Sequence, residues 1–262
     1  MLTTDFVPGA PNWIDLGSRD TTAAAAFYSS LFGWEFTPAG PEAGGYGTFE
    51  RDGKTVAAMG PLVDDGASPA WTIYFHTADA DATSDAVEEA GGLVRFPAMK
   101  MFDQGRIAGY TDPSGAEFAV WEPNANKGLD HVGLWGLYWT ELFTADAERA
   151  KEFYGAVFSW DHQDTPLPEN APADKRSLLS PSGGGQDGAH GDIMQLPPQI
   201  LVHGSYWQPY FQVDDVDVIV AKATAGGATV VMPPTDMQGI GRLSLMRDPE
   251  GAAFTVVTPQ AS

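Results

Sequence analysis

The chain has 262 residues, enough for two compact domains that each bury a core unaided. A formal charge of -21 repels phosphate backbones and anionic lipid, which argues against nucleic-acid and membrane-surface roles. The absence of cysteine removes disulfides, thiolate nucleophiles and Cys-ligated zinc.

Residues 1–13 carry neither a basic segment nor an apolar core, and no run approaches the roughly 18 apolar residues of a membrane span, so a cytoplasmic protein is expected. The first strand is read at 13–16, where apolar and polar residues alternate. Asp20 then caps a helix with an apolar stripe of Ala23, Ala26, Phe27 and Leu31, and Gly33 ends it. Alternating segments follow at 46–50, 55–59 and 71–75, with Asp52-Gly53 as a hairpin turn. A second helix runs from near Asp79 to Gly91, and strands follow at 93–96, 105–110 and 117–121. Asp112-Pro113-Ser114-Gly115 is read as the plain turn joining the last two.

The same sentence then repeats. NWIDLGSRDTTAAAAFYSSLFGW at 12–34 returns as YWTELFTADAERAKEFYGAVFSW at 138–160, with Asp20 against Asp146 and Phe27-Tyr28 against Phe153-Tyr154. The second helix and its Asp-Pro-x-Gly turn return as well, from Asp215 to Gly227 and at Asp248-Pro249-Glu250-Gly251. Their spacing is longer, which places the extra residues in the Pro/Gly-rich run 161–198. The order is βαβββ four times over. We expect an α+β fold of two tandem domains at 11–124 and 137–259, joined by a linker at 125–136, with helices on one side of concave mixed sheets.

The strand-Asp-helix-Phe-Tyr pattern, the Val-Asp-Asp-Val-Asp start of the last helix and the Asp-Pro-x-Gly turns resemble the vicinal oxygen chelate superfamily of glyoxalases, bleomycin-resistance proteins and extradiol dioxygenases. Within it the chain is similar to two-domain actinobacterial glyoxalase-like proteins, over about 11–259. Metal-dependent members hold a divalent ion by His and Glu residues on particular strands. The matching places here are Trp13 and Trp139, Thr72 and Gln208, Ala119 and Thr255, and positions near Met59 and Met194. None of these sets supplies three ligands, so neither a metal nor another cofactor is expected.

Other residues are expected to face the clefts. Alternation puts Asp15 on the face of Trp13, and Glu141 on the face of Trp139. An aromatic side chain beside a carboxylate could serve acid–base chemistry or orient a ligand hydroxyl; the plainer alternative is a carboxylate satisfying a buried backbone or Arg group. Thr72, Tyr74 and His76 share one face, as do Gln208, Tyr210 and Gln212. Pairing of strands between halves would group Trp13 and Asp15 with Gln208, Tyr210 and Thr255, and Trp139 and Glu141 with Thr72, Tyr74 and His76; pairing within halves would shuffle these sets. His76 is read as structural before functional. Arg106 and Arg242 either clamp a ligand anion or pair with Asp15 and Glu141. The glycine-rich 182–191 reads as a hairpin tip or flap, and Trp71 and Trp207 suggest further flat surfaces for stacking, with core packing the default for any one of them.

The leading expectation is a metal-independent, monomeric or homodimeric protein that binds a small planar or aromatic metabolite, as in sequestration or resistance. A metal-free isomerase, cyclase or lyase using Asp15 or Glu141 is the alternative, and a scaffold or stress protein with vestigial clefts is the third.

Overall fold

A computed structural model describes residues 2–62, 64, 66–167, 173–202 and 204–260. The first half runs β1 Pro11–Ser18, α1 Thr21–Phe32, β2 Glu35–Pro38, β3 Gly47–Arg51, β4 Lys54–Pro61, β5 Ala70–His76, α2 Ala80–Glu89, β6 Leu93–Met101, β7 Gly105–Thr111 and β8 Glu117–Pro123. The second runs β9 Leu137–Thr144, α3 Ala147–Phe158, β10 Asp161–Pro166, β11 Lys175–Ser180, β12 Gly191–Gln195, β13 Tyr206–Gln212, α4 Val216–Ala225, β14 Thr229–Met237, β15 Gly241–Arg247 and β16 Ala253–Pro259. This is βαβββ four times over. No helix among the described residues is long and apolar enough to cross a membrane.

Local chemistry explains the element ends. The carboxylates of Asp20, Asp79, Asp146 and Asp215 each accept a backbone N–H of the first helical turn. Gly33 closes α1 in the left-handed region, and Ser159 takes that conformation after α3. Asp52 and Gly53 both have positive φ, as a two-residue hairpin turn between β3 and β4 requires. The buried stripe of α1 is Ala24, Phe27, Tyr28, Leu31 and Phe32; Ala23 and Ala26 face solvent, one position away from the expected stripe.

Each half supplies one mixed eight-stranded sheet, in the orders β2-β3-β4-β1-β5-β8-β7-β6 and β10-β11-β12-β9-β13-β16-β15-β14. The run 161–198 therefore contributes the strands β10, β11 and β12 rather than one long loop; its residues 168–172 lie outside the described residues. The glycine-rich stretch is the tip of the β11–β12 hairpin, as read from the sequence; it is folded by its own turn bonds and ends in buried Ala189 and His190. Much of the expected linker is anchored too. Asp130 accepts the N–H of Thr55, the carbonyl of Trp135 accepts the indole N–H of Trp34 at 2.7 Å, and Arg51 lies 4.6 Å over the Trp135 ring.

Packing groups the chain differently from the sheets. The described residues of 1–13, 73–128 and 139–208 form one compact unit, and those of 14–72, 129–138 and 209–262 form another. Within the first, α2 packs with α3; within the second, α1 packs with α4. An identical buried chain of hydrogen bonds runs through each. In the first unit Trp207 Nε1 donates to the Tyr154 hydroxyl at 2.8 Å, and that hydroxyl donates to Asp112 Oδ2 at 3.1 Å. In the second, Trp71 Nε1 donates to Tyr28 at 3.0 Å, and Tyr28 donates to Asp248 Oδ2 at 3.0 Å.

Burial and the neighbouring aspartate push both tyrosines well above their ordinary pKa, so each stays a neutral donor. The other oxygen of each aspartate accepts backbone N–H groups of its own turn. The Asp-Pro-x-Gly turns thus do more than turn the chain: their acids anchor the Phe-Tyr helices. Trp71 and Trp207 belong to these cores, the default reading for such side chains, rather than offering surfaces to a ligand.

Candidate functional site

In the first unit, Trp207 and Phe75 pack on the helix side among Tyr154, Phe158 and Trp160. Strand alternation then turns Tyr206 and Gln208 to the opposite face, where the ring of Tyr206 meets Phe143 at 5.3 Å between centroids. Trp139 and Glu141 share that face with Phe143, being two residues apart along β9.

Glu141 is 3 % exposed, and its partner across the parallel β9–β12 ladder is Asp192, 1 % exposed. Arg176, on the neighbouring strand β11, donates Nη1 to Asp192 Oδ2 at 3.1 Å. Burial raises the Asp192 carboxyl above the usual carboxylate range, against the pull of Arg176, Trp139 and the side chain of Glu141. The site is thus two adjoining buried acids and one guanidinium, with Trp139 beside them and Phe143 and Tyr206 on the same face.

Asp15 sits differently. Its ladder partner on β4 is Ala58, it is half-buried, and its Oδ2 accepts the Tyr46 hydroxyl at 3.1 Å. The first half keeps the acid without a second acid opposite it.

The other expected site residues divide. Because β1 adjoins β4 and β5, and β9 adjoins β12 and β13, partner strands come from the same half. The cross-half grouping is corrected accordingly: Trp13 and Asp15 share a sheet with Thr72, Tyr74 and His76, and Trp139 and Glu141 with Gln208, Tyr210 and Thr255. Trp13 is buried and stacks on Trp121 at 6.1 Å, which makes it a packing residue. Tyr74, Gln208 and Tyr210 are buried as well.

The N–H of His76 donates to the carbonyl of Ala10 and its carbonyl accepts from Gly9, so it holds the N-terminal segment to β5; burial lowers its pKa, while a bond to the Val7 backbone raises it. Arg106 pairs with Asp81 at 2.7 Å and Glu122 at 3.1 Å, and Arg242 with Asp217 at 2.6 Å and Asp236 at 3.1 Å. These arginines tie the first turns of α2 and α4 to the sheet, with partners other than the expected Asp15 and Glu141.

Sequence reading missed Asp192 and Arg176. The signal was the ladder position opposite Glu141, but aligning Met194 with Met59 put the two halves one residue out of step. Ala58 is the true counterpart of Asp192, and a slip of one residue exchanges the faces of a strand.

The residues do not suit the divalent ion that some members of such folds hold. Among the described residues no three His, Cys, Asp or Glu side chains group as a metal site. The closest approach, Glu141 with Asp192, already faces a guanidinium whose charge opposes a cation.

Two stretches match known families: residues 10–120 the Glyoxalase/Bleomycin resistance protein/Dioxygenase superfamily, and residues 139–257 the Glyoxalase-like domain. A protein of Mycobacterium tuberculosis that carries the name glyoxylase CFP32 is 36 % identical over 98 % of this chain and 97 % of its own. The anthracycline biosynthesis protein DnrV of Streptomyces peucetius is 39 % identical over 97 % of this chain and 94 % of its own. Among solved structures, the 2,3-dioxygenase LapB from Pseudomonas sp. KL28 superposes with a TM-score of 0.64 at 13 % identity, covering 97 % of this chain and 94 % of that one. The Mn(II)-bound glyoxalase from Novosphingobium aromaticivorans gives 0.61 at 16 % identity, covering 95 % and 83 %. At such identities the structures speak for the fold alone.

Proposed function

The chain belongs to the Glyoxalase/Bleomycin resistance protein/Dioxygenase superfamily, and from that premise we propose that it binds a small planar or aromatic metabolite without the help of a metal ion. The observation that carries the reading is the face of the second half around Glu141. Where a chelating member would present ion ligands, this chain presents the indole of Trp139, with Phe143 and Tyr206 beyond it and Asp192, the acid beside Glu141, committed to Arg176. Flat rings stack on flat ligands, and a few fixed polar groups set their orientation. The name of the Streptomyces peucetius relative supports a planar polyketide as the ligand class.

Titration with a panel of anthracyclinones, naphthoquinones and flavonoids tests the proposal, read as quenching of tryptophan fluorescence. We expect saturable quenching by at least one class, unchanged after dialysis against a chelator, and weakened about tenfold in Trp139→Ala. A flat response across the panel overturns the binding reading. A stoichiometric divalent ion whose removal abolishes binding overturns metal independence.

A further inference from the structure

The ladder sets Glu141 directly beside Asp192, both almost fully buried, and Arg176 is bonded to Asp192. Two adjoining buried carboxylates repel each other when both are ionised, and a proton held between them relieves that cost. The hydrogen-bond pattern points the same way. Asp192 Oδ2 is taken by Arg176, while its buried Oδ1 meets no donor among the described residues, although the Glu141 side chain lies within hydrogen-bonding reach of Asp192. One proton between the two acids completes that contact.

A second observation points outward, to a ligand. Trp139 Nε1 lies beside Asp192 and eases its ionisation, yet neither it nor Arg176 Nε meets an acceptor in hydrogen-bond geometry among the described residues. Two buried donors without acceptors, on side chains that are themselves half-buried, suit an oxygen that arrives with a ligand.

We infer that Glu141 and Asp192 hold a single proton between them and form a proton-transfer site for planar aromatic ketones that carry an acidic C–H next to the carbonyl. The inference rests on the proposed ligand site and deepens it. The singly protonated pair accepts the proton of that C–H. The electron pair of the broken bond moves to the carbonyl oxygen as an enolate, which takes the N–H groups of Trp139 and Arg176. The doubly protonated pair then returns a proton to the same carbon or to a conjugated one. No electron is gained or lost, so the outcome is hydrogen exchange or isomerisation with no oxidant or reductant.

The free full-length protein gives the first test. Infrared spectra at pH 7, with the carboxylic acid C=O band identified by its shift in heavy water, should show a protonated carboxylic acid that disappears in both Glu141→Gln and Asp192→Asn; its absence from the wild-type protein overturns the inference. This measurement needs no ligand, so its failure is distinct from failure of the binding titration. The second test uses 2-tetralone in heavy water, with NMR following deuterium uptake at its acidic carbon. At a concentration that saturates fluorescence quenching, the wild-type protein should accelerate uptake on the order of a hundredfold, and Asp192→Asn should lose that acceleration while still being quenched. Saturated protein that fails to accelerate exchange overturns the inference. Absence of quenching by 2-tetralone counts against the ligand class named here, leaving the infrared result to decide the shared proton.

Discussion

Asp15 and Glu141 stand at matching places in a duplicated chain, yet they have become different chemical objects. Asp15 is half-buried, faces Ala58 and accepts one tyrosine hydroxyl. Glu141 is buried and faces Asp192, which accepts Arg176. Duplication preserved the acid; the replacement of one small side chain across the ladder decided what the acid can do. A half-buried carboxylate that accepts a tyrosine hydroxyl can orient groups, whereas an enclosed pair holds a proton that it can give up.

The contrast is broken most severely at Arg176. In Arg176→Met the enclosed Asp192 loses its cation while Glu141 still adjoins it, and we expect a stability loss of about 3 kcal/mol at pH 8 by urea unfolding. The loss should shrink as the pH falls and the acids take up protons; a deficit that does not vary with pH would contradict the assignment. Next in size is Ala58→Asp, which builds the second acid opposite Asp15 without supplying an arginine. Because Ala58 is fully buried, a cost of about 2 kcal/mol at neutral pH is expected, eased in acid. A variant as stable as the parent at pH 8 would show that the first half tolerates an acid pair unaided.

His190 sharpens the comparison from the core side of the second half. It is enclosed by the rings of Trp160 and Phe75, and burial lowers its pKa from 6.5 to about 3. The folded protein therefore keeps the ring neutral while the unfolded chain protonates it. The stability it contributes is whole above about pH 6.5 and is lost as the pH falls toward 3, at about 1.4 kcal/mol per pH unit inside that window. His190→Leu should remove this slope, lowering the midpoint of acid unfolding while shifting stability at pH 7 by about 1 kcal/mol or less. An unchanged acid midpoint would rule it out. The smallest effect belongs to Tyr46→Phe. Removing a hydroxyl from half-buried Asp15 should cost about 1 kcal/mol or less in the same urea assay, far below the Arg176 variant.

The fold was legible because its signals are local and occur twice over. Helix caps at Asp20, Asp79, Asp146 and Asp215, the Asp52-Gly53 turn and the alternating strands each declare themselves within a few residues. Strands β2 and β10 were not legible, since their exposed polar sequences, EFTP and DHQDTP, show no apolar alternation. The candidate site was legible only in part. Trp139 and Glu141 could be placed by the repeat, but Asp192 lies beyond an insertion, and only the ladder register reveals which face it shares. Likewise, a sequence states that Tyr28 and Asp248 exist; their meeting across more than two hundred residues is a product of tertiary packing. Arg106 and Arg242 show the converse, matched residues whose shared task is anchoring helices.

The crossed bonds of Tyr28 to Asp248 and Tyr154 to Asp112 have a practical meaning for anyone who would dissect this chain. Scissors placed between the two repeats would sever partners rather than separate modules, leaving in each fragment a phenol and a carboxylate deprived of their mates. Such fragments should behave as complementary pieces that regain shape only when mixed. The duplication is thus interlocked, and its copies have lost the independence that a tandem repeat ordinarily retains.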